Sequence, residues 1–178
     1  TGPVDAILRA LVQHGGRVID TWPRNVANDS AFGTLINHAD LRDRLFVTTK
    51  VSTNGQEGTE QLEQSLRSYG RKNIDLAQVF SLTDVETHWP TLKAWKASGK
   101  ARYIGVTVSD YRLYDAIEAF LRREKPDFVQ YNYSITERRA EERLLPLAQD
   151  RGIAVLINRP FMNGAYFQRL ANVALPAW

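Results

Sequence analysis

A repeated junction constrains this chain more than any other feature. A helical stretch closes on glycine, a basic residue or two usually sits beside it, and a short apolar strand begins. The pattern appears in QHGGRVIDT, SYGRKNIDLAQV, ASGKARYIGVTV and DRGIAVLINR. Glycine just past a helix accepts the left-handed conformation that a C-terminal cap requires. Helix–Gly–strand repeated in this way is the grammar of α/β folds with a parallel sheet.

Read along the chain, the pattern predicts a helix over Val4–His14, with Val4, Ile7, Leu8 and Leu11 on one face, and a strand over Val18–Thr21. A polar loop, Trp22–Asn28, leads to a short helix over Ser30–Asn37 and a strand over Leu45–Lys50. Next come a helix over Thr59–Tyr69, a strand over Ile74–Phe80, and a helix capped by Asp84 and ending at Gly99. Strand Tyr103–Thr107, helix Ser109–Arg123, strand Asp127–Tyr131 and helix Glu137–Asp150 continue the alternation. A last strand over Ile153–Arg159 and a short helix over Ala165–Ala171 complete it. With no linker rich in Pro, Gly or Ser, residues 1–178 read as a single domain.

Composition narrows the function classes. The 178 residues are 43% hydrophobic, enough for a substantial core, but no apolar run approaches the length of a membrane span. The opening TGPVDAILRALVQ has a helical pattern rather than that of an export signal, so a cytoplasmic location is expected, although a longer native N-terminus could carry such a signal. There is no cysteine, which excludes disulfides and thiolate metal sites. The net charge is +3, with Arg and Lys interleaved with acids along the helices, as on a solvated surface rather than a nucleic-acid face. His14, His38 and His88 have no metal-ligand spacing and read as surface residues, so no metal site is expected.

Two charged residues stand at strand ends. RLFVTTK carries Lys50 at the end of a run that reads as buried on both faces, and RVIDT carries Asp20 in the same position. Burying an unpaired ammonium is costly, so the two are expected to meet, either as a structural ion pair or as part of a catalytic site. An enclosed lysine is also a candidate Schiff-base nucleophile. Six strands alternating with helices fit a doubly wound sheet or a (β/α)8 barrel. No strand is followed by GxGxxG or GK[ST], which nucleotide-binding open sheets often carry, while 178 residues are few for a barrel. A (β/α)8 barrel lacking its first and last strands reconciles these observations.

Six ordered segments resemble the aldo-keto reductase superfamily: VIDTWP, LFVTTKV, IDLAQVF, WKASGKARYIGVTV, FVQYNYS and INRPFMNGAYF, spanning Ala6 to Phe167. The resemblance implies the (β/α)8 barrel, NADP(H) as cofactor, and reduction of a small aldehyde or ketone. It also implies an active site of Asp, Tyr, Lys and His, where the tyrosine is the proton donor and the histidine orients the carbonyl. The aspartate falls on Asp20 and the lysine on Lys50, but the tyrosine position holds Asn25 and the histidine position holds Phe80. Asn25 is no useful acid and Phe80 donates no hydrogen bond, so weak or altered activity is expected, or a catalytically silent ligand-binding or structural member.

For the cofactor, the resemblance maps the Ser-Asn pair onto Thr107 and Val108, and the glutamine onto Gln130. The aromatic that stacks on the nicotinamide falls on Asn158, and Pro160, Phe161 and Gly164 keep the form of the pyrophosphate loop. Arg159 is a candidate anion clamp and Trp22 a candidate wall of the substrate pocket. The segment that grips the 2′-phosphate lies past Trp178, which leaves NADP against NAD open. Exposed sheet edges would make self-association a hazard.

Overall fold

A computed structural model describes residues 2–174 of the chain. Two compact units divide it, one running to Val106 and the other starting at Thr107. Six strands alternate with seven α-helices among the described residues, in the order that the junction pattern predicts.

In the first unit, α1 (Gly2–Gln13) precedes β1 (Val18–Ile19), and α2 (Val26–Ile36) precedes β2 (Phe46–Val51). Then follow α3 (Gly55–Ser68), β3 (Ile74–Phe80), α4 (Val85–Ser98) and β4 (Ala101–Thr107). β1 pairs with β2 and β2 with β3, both in parallel. The Ile74 N–H donates to the Lys100 carbonyl at 2.9 Å and brings β4 alongside β3. The strands therefore stand in chain order, as in the wall of a barrel, without the reversal that marks the switch point of a doubly wound sheet. Every residue of β2 after Phe46 is buried, which accounts for its unbroken β-forming sequence.

In the second unit, a 3₁₀ turn (Tyr111–Leu113) leads into α5 (Tyr114–Arg123), followed by β5 (Phe128–Asn132), α6 (Leu144–Arg151), β6 (Ala154–Asn158) and α7 (Ala165–Leu170). β5 and β6 are parallel, with Gln130 opposite Leu156 and Asn132 opposite Asn158. α5 shows how pattern becomes packing: Tyr114, Ile117, Phe120 and Leu121 recur at helical spacing and are all buried. Gly99 and Gly152 close α4 and α6 at φ 77° and 63°, the left-handed caps that the junctions call for.

Several expectations need correction. The helix expected over Ser30–Asn37 begins at Val26, because Asn25 caps it. The expected helix over Glu137–Asp150 is a 3₁₀ turn (Arg139–Glu141) followed by α6. β1 stops at Ile19, short of Thr21, and β2 continues one residue past Lys50. Asp84 stands at the N-cap of α4 as expected, with φ 44° and its carbonyl accepting the His88 N–H at 3.0 Å, but its carboxylate makes no cap bond and accepts the Gly55 N–H at 2.8 Å. His14 and His38 are exposed as expected, but His88 is fully buried. The His88 Nε2–H donates to the Thr53 carbonyl at 2.7 Å. Its ring fills the space beside Gly58, where an added Cβ would come within 2.3 Å of Cε1. No helix among the described residues is long and apolar enough to cross a membrane.

Candidate active site

Parallel pairing decides which side chains meet in the first unit. Because side chains alternate along a strand, Thr48 and Lys50 of β2 share one face. Asp20, the residue after β1, lies against that face: its Oδ1 accepts from Thr48 Oγ1 at 2.7 Å and from Lys50 Nζ at 2.5 Å. Lys50 Nζ also donates to the Thr21 carbonyl at 3.0 Å. The lysine side chain is 7% exposed and the aspartate 41%, so an enclosed ammonium meets a carboxylate that still touches solvent. An ammonium has three N–H donors, and these two contacts leave one that can turn to a ligand oxygen.

On the opposite face of β2, the buried Tyr69 hydroxyl lies 3.1 Å from Thr21 Oγ1 and 3.4 Å from Thr49 Oγ1. Thr21 thus links the lysine to a fixed phenol behind the sheet. Asp75, near the start of β3, accepts from the Val47 N–H at 2.9 Å and pairs with Arg102 at 2.6 Å. It anchors the N-terminal ends of these strands, away from Lys50.

The two departures have structural employment. Asn25 Oδ1 accepts from the Asn28 N–H at 2.9 Å, the usual work of an N-cap asparagine. The Phe80 ring packs edge-on against Trp22, with centroids 4.3 Å apart and planes at 89°. Trp22 remains 39% exposed, as a residue at the edge of a pocket would. Asp20 with Lys50 and Trp22 with Phe80 are therefore brought together, while the Asn25 side-chain oxygen caps its own helix.

Gln78 was not singled out by the sequence. It sits opposite Lys50 across the β2–β3 ladder, is fully buried, and neither polar atom of its amide has a hydrogen-bond partner. The polar interruption of the apolar IDLAQVF run is its sequence signal, and the structure adds that it faces Lys50.

The second unit gathers the other candidates. Thr107 and Gln130 are buried, and the Val108 N–H donates to the Gln130 carbonyl at 2.9 Å. Asn158 lies two residues beyond the register partner of Gln130, on the same face of β6. Gln130 Nε2 donates to Asn158 Oδ1 at 2.7 Å, and Asn158 Nδ2 donates to the Val108 carbonyl at 3.4 Å. Arg159 is exposed, takes φ 53°, and donates through Nη1 to the Ser109 carbonyl at 3.3 Å. With Ser109, Asp110, Arg112 and Asn132 it lines a polar cleft of about 480 Å³. Arg112 is held by Asp110 at 2.6 Å, and this pairing keeps the Asp110 carboxyl below the usual carboxylate range. Pro160 and Phe161 are exposed, the latter packing against Phe167 with centroids 5.0 Å apart, and Gly164 takes φ 87°. Among the described residues no three His, Cys, Asp or Glu gather as metal ligands.

Comparison with known proteins gives one consistent answer. The model of the aldo/keto reductase family matches residues 4–172. Aldo-keto reductase YhdN of Bacillus subtilis is 28% identical over 166 residues, covering 84% of this chain and 49% of that protein. The NADH-specific methylglyoxal reductase of Escherichia coli is 31% identical over 116 residues, covering 57% of this chain and 33% of that one. The chain thus spans half or less of the length of these relatives. Among solved structures, an aldo/keto reductase from Klebsiella pneumoniae in complex with NADP and acetate aligns with TM-score 0.79 at 25% identity, over 96% of this chain and 62% of that one. Aldo-keto reductase AKR11C1 from Bacillus halodurans, in its holo form, aligns with TM-score 0.76 at 24% identity, over 97% and 61%.

Such relatives raise the question of whether this chain suits a nicotinamide cofactor. Its donor set suits the carboxamide: Gln130 Nε2 and the Val108 carbonyl already hold a primary carboxamide, that of Asn158, by its acceptor and one of its donors. With strands in chain order, a matching family model over nearly the whole sequence and solved relatives that superpose on it, the chain belongs to the aldo/keto reductase family and carries part of that family's (β/α)8 barrel.

Proposed function

We propose that the protein is an NAD(P)H-dependent oxidoreductase acting on a small aldehyde or ketone, at a rate well below that of a member with the full set of catalytic residues. The observation that carries this reading is the enclosed Lys50 ammonium, held by Asp20 and by the Thr21 carbonyl. A carbonyl oxygen becomes negative as it is reduced, and a fixed ammonium with a remaining N–H stabilises that charge. A bound nicotinamide cofactor supplies the hydride. On this chain, Thr107 and Gln130 are suited to its carboxamide, and Arg159 with the Pro160, Phe161 and Gly164 loop to its phosphates. Whether NADP or NAD is preferred is a matter for titration, since the E. coli relative is described as NADH-specific and the Klebsiella structure as an NADP complex.

The low rate follows from Asn25 and Phe80. General-acid help is typically worth about 10²–10⁴ in rate, and neither side chain supplies it. The test is a panel of aldehydes with NADH and NADPH, followed by loss of nicotinamide absorbance across pH. Slow turnover that disappears in Lys50→Met is expected; no turnover with any substrate at any pH would sink the reading.

A second reading, a catalytically silent member that binds a ligand, is favoured by the work that Asn25 and Phe80 already do in capping α2 and packing on Trp22. Joint replacement, Asn25→Tyr with Phe80→His, separates the two readings. A gain of reductase activity would show that only the acid machinery is missing, and continued silence would favour the second reading.

A further inference from the structure

We propose that Gln78 is the side chain with which this chain reads its substrate, and that it selects aldehydes and ketones carrying a hydroxyl next to the carbonyl. This deepens the oxidoreductase reading above and rests on it.

Lys50 and Gln78 are register partners on adjacent parallel strands, so their side chains stand on one face of the sheet, and Phe80, further along β3, shares that face. The polar groups beside them are engaged: Thr48 Oγ1 and the Lys50 ammonium both donate to Asp20, and the ammonium donates again to the Thr21 carbonyl. Gln78 differs. It is fully buried, and neither Oε1 nor Nε2 has a hydrogen-bond partner among the described residues. An unpaired buried amide costs the protein more than a typical hydrogen bond contributes, so a partner from outside the chain is called for.

The amide itself sets the chemistry of that partner. It presents an NH₂ donor and a carbonyl acceptor side by side, and the remaining Lys50 N–H adds a further donor. A substrate carbonyl oxygen accepts from Nε2 and from Lys50 Nζ, but it gives nothing to Oε1. A hydroxyl on the neighbouring carbon supplies the missing proton. Phe80 has no polar side-chain atom, which leaves Gln78 as the side-chain donor that β3 offers to a carbonyl. Gln78 donates a hydrogen bond and surrenders no proton, so turnover stays slow for want of an acid at position 25.

The experiment compares glycolaldehyde with propanal, which has a methyl in place of the hydroxyl, in the wild-type chain and in Gln78→Leu, with turnover read by loss of nicotinamide absorbance. One net hydrogen bond corresponds to about a tenfold change, so the variant should lose about tenfold more kcat/KM towards glycolaldehyde than towards propanal. A second measurement needs no variant. On addition of hydroxyacetone to the wild-type chain, the side-chain NH₂ signals of Gln78 should shift in NMR spectra, and 2-butanone should move them less.

An equal loss towards both aldehydes, or a Gln78 NH₂ signal that answers hydroxyacetone no more than 2-butanone, would overturn the proposal and leave the oxidoreductase reading standing. Unchanged turnover with a marked loss of stability would do the same, since the amide would then hold a structural water only. Absence of turnover by the wild-type chain with either aldehyde would remove the oxidoreductase reading and this proposal with it.

Discussion

The Tyr69 hydroxyl lies 3.1 Å from Thr21 Oγ1, and Thr21 in turn gives its carbonyl oxygen to the Lys50 ammonium. Tyr69→Phe deletes the hydroxyl while keeping the ring, and leaves Thr21 and Thr49 without a buried partner that each now has. A typical buried hydrogen bond contributes about 0.5–1.5 kcal/mol, and urea unfolding should show a loss in that range. Because Thr21 orients the lysine, any measured turnover should fall further than the stability loss explains. An unchanged rate would limit Tyr69 to packing.

Asp20 and Lys50 should respond asymmetrically. Asp20→Ala leaves an enclosed ammonium held by the Thr21 carbonyl alone, whereas Lys50→Met leaves a carboxylate that water can reach. The first should cost about 1–3 kcal/mol of stability, towards the low end because Asp20 is partly solvated, and the second should cost less. Denaturant midpoints of the two variants decide it. A larger loss for Lys50→Met would mean that the lysine stem, rather than its charge, holds the strands.

Gln78 supplies a test of function against folding. Replacing a buried polar group that has no partner with an apolar one of similar size is nearly neutral or stabilising. Gln78→Leu should melt at or above the wild-type temperature. If it also lowers binding of a small aldehyde, the amide serves a ligand beside Lys50. Marked destabilisation would instead show that it is satisfied in solution by a bound water.

Tyr114 makes the fold sensitive to alkali. Burial, reinforced by the Glu137 carboxylate, raises its phenol from 10.0 to about 12, and its hydroxyl donates to the Asn132 carbonyl at 2.7 Å. The folded state therefore holds this proton more tightly than the unfolded state. The stabilisation is complete below pH 10 and is lost as pH rises towards about 12. Burial pushes Tyr131 in the same direction. Urea midpoints measured across this interval should fall, and Tyr114→Phe should flatten the fall.

The strands were legible because their chemistry is local. An apolar β-forming run after Gly70 located β3 to the residue, and the run LFVTTK located β2 to within one. The pairing of Asp20 with Lys50 was legible because an enclosed ammonium needs a counter-charge. What depended on register was hidden. Gln78 stands opposite Lys50 only through the β2–β3 register, and Asn158, which the resemblance sets beside the nicotinamide, meets Gln130 only because β6 places it two residues past the partner of that glutamine. His88 reads as exposed because ETHWP looks polar, while its burial comes from the Thr53 carbonyl ahead of α3 and from side-chain-free Gly58 within α3, which together make room for an imidazole. The motif puts Asn25 at a catalytic position, while its capping of α2, which moves the start of that helix forward, depends on the fold of the loop before it.

The edge-on packing of Trp22 on Phe80 bears on the size of the opening beside them. The two rings brace each other, so a small side chain at position 80 would leave the partly exposed indole free to swing and would widen the opening that it now borders.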